Sequence, residues 1–195
     1  MNKSIFKKYD FITKHPRSMM LAGINTALLF ALNFVSGQAL SAIFAIPGLS
    51  GIVTGFTVPF FLTLTFLITR GYGTFTVMWA LYSVAAIPTL LMGPPGPYKV
   101  IIGLCAGLAS DVIVYLGKGH YKSLYFGFVF YTSVMMALFL ALLHWLRLPG
   151  FEITVKAVII ITVVFILEGF ISIYAAIKTA PRMTRLGKDF SVSGD

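Results

Sequence analysis

Residues 51–69 read GIVTGFTVPFFLTLTFLIT and residues 74–92 read TFTVMWALYSVAAIPTLLM, with RGYG at 70–73 between them. Neither run holds a charged residue, and the joint holds one, Arg70. A helix that crosses about 30 Å of hydrocarbon needs roughly 20 apolar residues. Each run therefore predicts a membrane-crossing helix, and the short joint predicts that the two are antiparallel neighbours. Gly71 and Gly73, turn-forming residues, follow Arg70 where a helix has to stop.

The same pattern extends in both directions. Apolar runs at 18–35, 98–116, 123–146 and 153–177 bring the number of predicted spans to six, separated by Gly- and Pro-rich breaks such as GPPGP at 93–97 and the Leu148-Pro149-Gly150 turn. The chain is 58% hydrophobic and 11% charged, too little polar surface to cover a soluble globule of 195 residues. The predicted fold class is thus an all-α integral membrane protein, a six-transmembrane-helix bundle.

Charge sets the direction of the spans. Of 15 Lys and Arg residues, all but Lys99, Arg147 and Lys156 fall before the first span, in the second and fourth gaps, or after the sixth. The positive-inside rule then puts both termini in the cytoplasm. The expected organisation is a basic N-terminal segment at 1–17, one membrane domain at 18–178 with an outer loop at 36–50, and a cytoplasmic tail at 179–195. A retained first helix fits the long basic segment before it better than a cleaved signal peptide does. The net charge of +9 is accounted for by topology and attraction to anionic lipid, so no nucleic-acid partner is called for.

Several chemistries lack their residues. There is no GxxxxGK[ST] phosphate loop, so any ATP has to be handled by another subunit. His15, His120 and His144 are isolated and Cys105 has no second cysteine, so no metal site is expected. No nucleophile and base pair up at one depth, and the short tails are too small for a catalytic domain. Neither an enzyme activity nor a cofactor is expected.

Three sets of residues stand out. Asp111 and Glu168 are embedded carboxylates, placed by span position at one depth in the inner half, as structural or coupling groups. A polar group collects on the outer side: Asn33 and Gln38 after the first span, Tyr98 and Lys99 opening the fourth, Trp145 and Arg147 closing the fifth, and Lys156 early in the sixth. Cations and aromatics at one level can bind an organic anion or a flat heterocycle; interfacial anchoring is the other account of the same residues. Ala27 and Ala31, like Gly103 and Gly107, have small-xxx-small spacing for close helix contact. Segment 36–50, SGQALSAIFAIPGLS, reads either as a lid or as extensions of the flanking helices.

These features together resemble the substrate-binding S component of energy-coupling factor (ECF) transporters, the vitamin-uptake systems of bacteria and archaea. The resemblance covers the whole chain. It rests on six spans with both ends inside, the long outer loop after the first helix, Ala27-x-x-x-Ala31, and GPPGPYKVIIGLCAGLASD at 93–111, which looks like the family's Gly-Pro turn followed by a glycine-spaced helix ending in Asp. It implies a multi-pass protein of a prokaryotic plasma membrane that binds a vitamin or related micronutrient. It further implies a transmembrane coupling (T) subunit and two ATPase subunits as partners. Ala27 and Ala31 would be the docking face, and Asn33, Gln38, Tyr98, Lys99, Trp145, Arg147 and Lys156 the substrate site beneath the 36–50 lid. A stand-alone proton- or cation-coupled transporter and a non-transporting membrane assembly protein are the alternatives.

Overall fold

A computed structural model describes residues 10–44, 49–89, 91–92, 95–146 and 155–192. Six α-helices account for nearly all of them: α1 (Pro16–Phe44), α2 (Leu49–Thr69), α3 (Thr74–Ala86), α4 (Tyr98–Leu116), α5 (Tyr121–Leu146) and α6 (Val155–Val192). Pro16 opens α1 at the first helical position, where its missing N–H costs nothing. Two short strands, β1 (Asp10–Phe11) and β2 (Gly71–Tyr72), pair in parallel and tie the N-terminal segment to the turn between α2 and α3. A 3-10 turn at Ile12–Lys14 buries Ile12 beneath them.

Packing closes the helices into a ring in the order α1, α2, α6, α5, α4, α3 and back to α1, with a smaller contact between α2 and α3. The core between them is apolar and aromatic, with Leu29, Leu62, Phe66, Met78, Trp79 and Phe128 all buried. The outside is apolar too. Met20, Ile24 and Leu28 on α1, Ile101, Leu104 and Leu108 on α4, and Val163, Leu167 and Ile171 on α6 are exposed. Such stripes would be an anomaly in water and are the ordinary surface of a helix in lipid. Among the described residues, 16–37, 98–116 and 162–183 are long and apolar enough to cross a membrane, which is consistent with a membrane protein.

Three expected boundaries change. The run at 74–92 is helical only to Ala86; 13 residues make about 20 Å, short of a bilayer's core. Pro88 is the reason, since it has no N–H for the Val84 carbonyl, which accepts instead from Ile87 N–H at 3.3 Å in a tightened last turn. Of the two readings of segment 36–50, the helices follow the extension: α1 continues through Phe44 and α2 begins at Leu49, with 45–48 outside the described residues. Finally, α6 does not stop at 177 but runs for 38 residues through Pro181 to Val192, so most of the expected tail is helical.

Candidate functional site

The contact of α3 with α4 is closely fitted, and four α4 residues spaced by four make it. Lys99, Gly103, Gly107 and Asp111 lie on one face because that spacing returns to nearly the same side of a helix. In the middle, the two glycines let the backbones touch. A Cβ on Gly103 would overlap Ser83 Oγ and stand 3.0 Å from the Trp79 carbonyl oxygen, and one on Gly107 would reach within 2.6 Å of Thr76 Cα. This small-xxx-small pattern is thus spent inside the chain.

At the ends, two charges cap α3. Its own N-cap residue, Gly73, has no side chain to offer and adopts the left-handed φ of +86°. Asp111 serves from the neighbouring helix: Oδ1 accepts from Gly73 N–H at 3.2 Å, while Oδ2 accepts from Thr76 N–H at 2.8 Å and the Thr76 hydroxyl at 2.6 Å. At the other end, Lys99 is 0% exposed and its Nζ donates to the Ala86 carbonyl at 2.9 Å and the Thr89 carbonyl at 2.6 Å. The carboxylate sits at the positive end of the α3 dipole and the ammonium at the negative end. Twelve residues of α4 at 1.5 Å each span about 18 Å, which matches the length of the helix being capped.

Lys99 and Asn33 are therefore not where the sequence reading put them. Neither faces an outer pocket. Lys99 is held by the Thr89 carbonyl and by the Ala86 carbonyl, which also accepts from the Thr89 N–H at 3.0 Å and the Thr89 hydroxyl at 2.9 Å in the turn that ends α3. Asn33 is 1% exposed and joins three helices, its Nδ2 donating to Tyr82 Oη at 3.1 Å and its Oδ1 accepting from Thr57 Oγ1 at 2.6 Å. Thr57 has a single hydroxyl proton and the Val53 carbonyl is also in reach at 2.8 Å. Reversing the Asn33 amide lets Tyr82 donate to Asn33, Asn33 to Thr57 and Thr57 to Val53, so that each proton is used once.

Of the other expected substrate residues, Tyr98 is half-buried at the start of α4 with its ring over Gly96. Gln38, Trp145 and Lys156 lie on α1, α5 and α6, with side chains outside the described set, and Arg147 lies wholly outside the described residues. An interior aromatic group went unnoticed in the sequence. Trp79 meets Tyr82 at 5.8 Å and Tyr131 at 5.5 Å between ring centroids, and Tyr131 meets Phe128 at 5.0 Å. Trp79 is 3% exposed, and its indole Nε1 has no hydrogen-bond partner among the described residues. The cavity beside this group, against Pro59, Ser110 and Tyr131, leaves room for about one water.

Asp111 and Glu168 do not share a depth. Glu168 lies against Gly55, near the start of α2, whereas Asp111 bonds Gly73 and Thr76, beyond the end of α2. The fourteen residues from 55 to 69 put about 20 Å between them along the bundle. The displacement arises because α6 does not end at 177 but continues to Val192, which carries Glu168 further from the end of the bundle that holds Asp111. Near Asp111 a surface groove of about 240 Å³ runs between Phe11, Tyr72, Leu108, Val112 and Tyr115. Burial, reinforced by Tyr115, pushes the Tyr72 phenol above its ordinary value, so it is neutral there.

Ala27 and Ala31 are exposed, and a Cβ placed on Gly23, one turn earlier, would meet nothing within 4 Å. Unlike Gly103 and Gly107, this small-residue face has no partner within the described chain. No protein-family model matches the sequence, and neither a curated protein nor a solved structure is detectably similar to it.

Proposed function

We propose that this chain is the membrane-embedded substrate-binding subunit, the S component, of an ECF-type transporter for a vitamin or related micronutrient. In this reading six helices traverse a prokaryotic plasma membrane with both termini in the cytoplasm, and α3 crosses only together with the 87–97 turn that Lys99 holds down. A transmembrane coupling subunit and two ATPases supply the energy that a chain with no phosphate loop cannot.

The observation that carries the reading is the contrast between the two small-residue faces. Gly103 and Gly107 are consumed by α3, while Gly23, Ala27 and Ala31 form an apolar face on α1 that nothing in the described chain covers. In a membrane, small residues at such spacing serve close helix contact, so the α1 face is the docking surface for the coupling subunit. With Asn33 and Lys99 committed to the frame, the substrate site falls to Gln38, Tyr98, Trp145, Arg147 and Lys156, with the unpartnered Trp79 N–H as a donor at its floor.

A photo-crosslinking amino acid placed at Ala27 or Ala31 in the native host, with position 108 on the exposed face of α4 as control, tests the docking face. Mass spectrometry is expected to find one membrane subunit linked at 27 and 31 and absent at 108. Labelling by lipid alone at all three positions would overturn the assignment.

A proton-coupled carrier is the second reading, and one observation favours it: Glu168 Oε2 is buried without a partner among the described residues. Its other carboxylate, Asp111, is already committed to capping α3. Uptake that persists with ATP after the proton gradient is collapsed supports the S component, and uptake that stops supports the carrier.

A further inference from the structure

Pro59 lies inside α2 and has no N–H for the carbonyl four residues back, which is that of Gly55. Within a bilayer no water replaces the lost donor, so protein has to supply one. The side chain that stands at this point is Glu168 of α6. A Cβ on Gly55 would overlap Glu168 Oε2 and come within 2.9 Å of Phe165 Cδ1, so only glycine admits the carboxyl. One turn further along α6, Ser172 Oγ donates to the Phe56 carbonyl at 2.6 Å. Positions 168 and 172 share a helix face, so the carboxyl that stands against Gly55 and the hydroxyl on the Phe56 carbonyl flank the proline break from one side.

Ser172 brings its own proton. Glu168 Oε2 is buried, and no donor reaches it among the described residues. Among the described residues the surroundings offer no cation to hold it as an anion. Residues 49–69 of α2 contain no ionisable side chain, and 157–177 of α6 contain no Lys or Arg. α5 faces α6 with the neutral phenol of Tyr125, packed on Phe170 at 5.5 Å. Beyond it on α5 lies the phenol of Tyr131, and α1 brings the amide of Asn33 to α2. A buried carboxyl oxygen with neither a donor nor a cation beside it among the described residues is satisfied in one way by the groups present, a proton on the carboxyl.

We propose that Glu168 is a proton-binding site in which the neutral carboxyl donates to the Gly55 carbonyl freed by Pro59, so that Glu168 and Ser172 together latch α6 to α2. Loss of the proton turns the donor into a second acceptor and opens that half of the latch. Only the proton moves; no bond between heavier atoms changes. The inference stands independently of the S-component reading, since it concerns two helices of this chain alone.

The full-length chain in lipid nanodiscs tests it by infrared difference spectroscopy and by melting temperature over the neutral to alkaline range. A protonated-carboxyl band is expected at neutral pH in the wild type and is lost in Glu168→Gln, whose amide keeps a donor. Native chain holds the extra proton and unfolded chain does not, so wild-type stability falls as pH rises, and Glu168→Gln abolishes that slope. Pro59→Ala returns a backbone N–H to Gly55 and is expected to shrink the slope as well, which keeps the proposal testable if Glu168→Gln folds poorly. Absence of the band at neutral pH, or an unchanged slope in both variants, would overturn it. Stabilisation by sodium but not by choline at alkaline pH would overturn it in favour of a metal-cation site.

Discussion

Replacing Asp111 by alanine removes the acceptor for three donors at once, the N–H groups of Gly73 and Thr76 and the Thr76 hydroxyl. A hydrogen bond to a charged group contributes about 1.5–3 kcal/mol, which for three would exceed what a single site delivers. Two terms reduce it. Keeping the carboxylate 8% exposed costs desolvation in the wild type, and the adjoining groove lets water reach the abandoned donors. Loss of an N-cap alone costs about 1 kcal/mol. We expect Asp111→Ala to destabilise the folded chain by about 2–3 kcal/mol, equivalent to roughly 30- to 150-fold in the folding equilibrium. Asp111→Asn retains one acceptor oxygen and should lose about 1 kcal/mol. Equilibrium unfolding in mixed micelles reads both, with cysteine labelling at Cys105 as a second probe of α4. A change within about 0.5 kcal/mol for Asp111→Ala, the range of an ordinary surface substitution, would refute the capping role. So would loss of transport in Asp111→Asn at full stability, because that is the signature of a coupling carboxylate.

Lys99→Met takes the ammonium from the Thr89 carbonyl and from the Ala86 carbonyl, which keeps the Thr89 N–H, and should cost about 1–3 kcal/mol in the same unfolding assay; unchanged stability with lost ligand binding would return Lys99 to the substrate site. Gly107→Val drives a side chain into the Thr76 backbone and is expected to lower stability by at least about 2 kcal/mol, whereas Ala27→Val on the open face of α1 should leave the isolated chain unchanged and, under the proposed function, reduce recovery of a coupling subunit on purification. Asn33→Leu strips Tyr82 and Thr57 of their shared partner and should cost about 1–3 kcal/mol, measured by thermal unfolding.

What the sequence makes legible is where helices are, and less so how long they are and which way they face. Hydropathy places all six, because burial in lipid or in the core selects the same apolar residues. It cannot register that Pro88 ends α3 at Ala86, since residues 87–92 are as apolar as those before them. Nor can it tell that α1 continues to Phe44, because helix and outer loop are written there in the same small apolar residues. Depth assignment by counting from span ends misled most where the ends moved. Glu168 was placed level with Asp111 because α6 was assumed to stop at 177.

Two members of the group assigned to the outer face, Asn33 and Lys99, were misdirected for a related reason. Depth fixes a level on the bundle, and a level says nothing of direction. Lys99 has the depth of a pocket residue and the direction of a cap. A sharper signal was available in Lys99-x-x-x-Gly103-x-x-x-Gly107-x-x-x-Asp111: opposite charges bracketing two glycines on one helix face point to a partner helix about as long as the bracket. The pair Gly55 and Pro59 carries a similar message, since a proline in a buried helix names the carbonyl it orphans. Trp79, Tyr82 and Tyr131 were not legible, as aromatic residues in apolar spans look alike until α3 and α5 bring them together.

The most direct test of the proposed function is purification of the tagged full-length chain from its native host in mild detergent, with mass spectrometry of co-purifying proteins and retained small molecules. The S-component reading predicts a transmembrane coupling subunit, two ATPases and a bound micronutrient. A monomer or homo-oligomer from a host shown to express such a coupling module would contradict it.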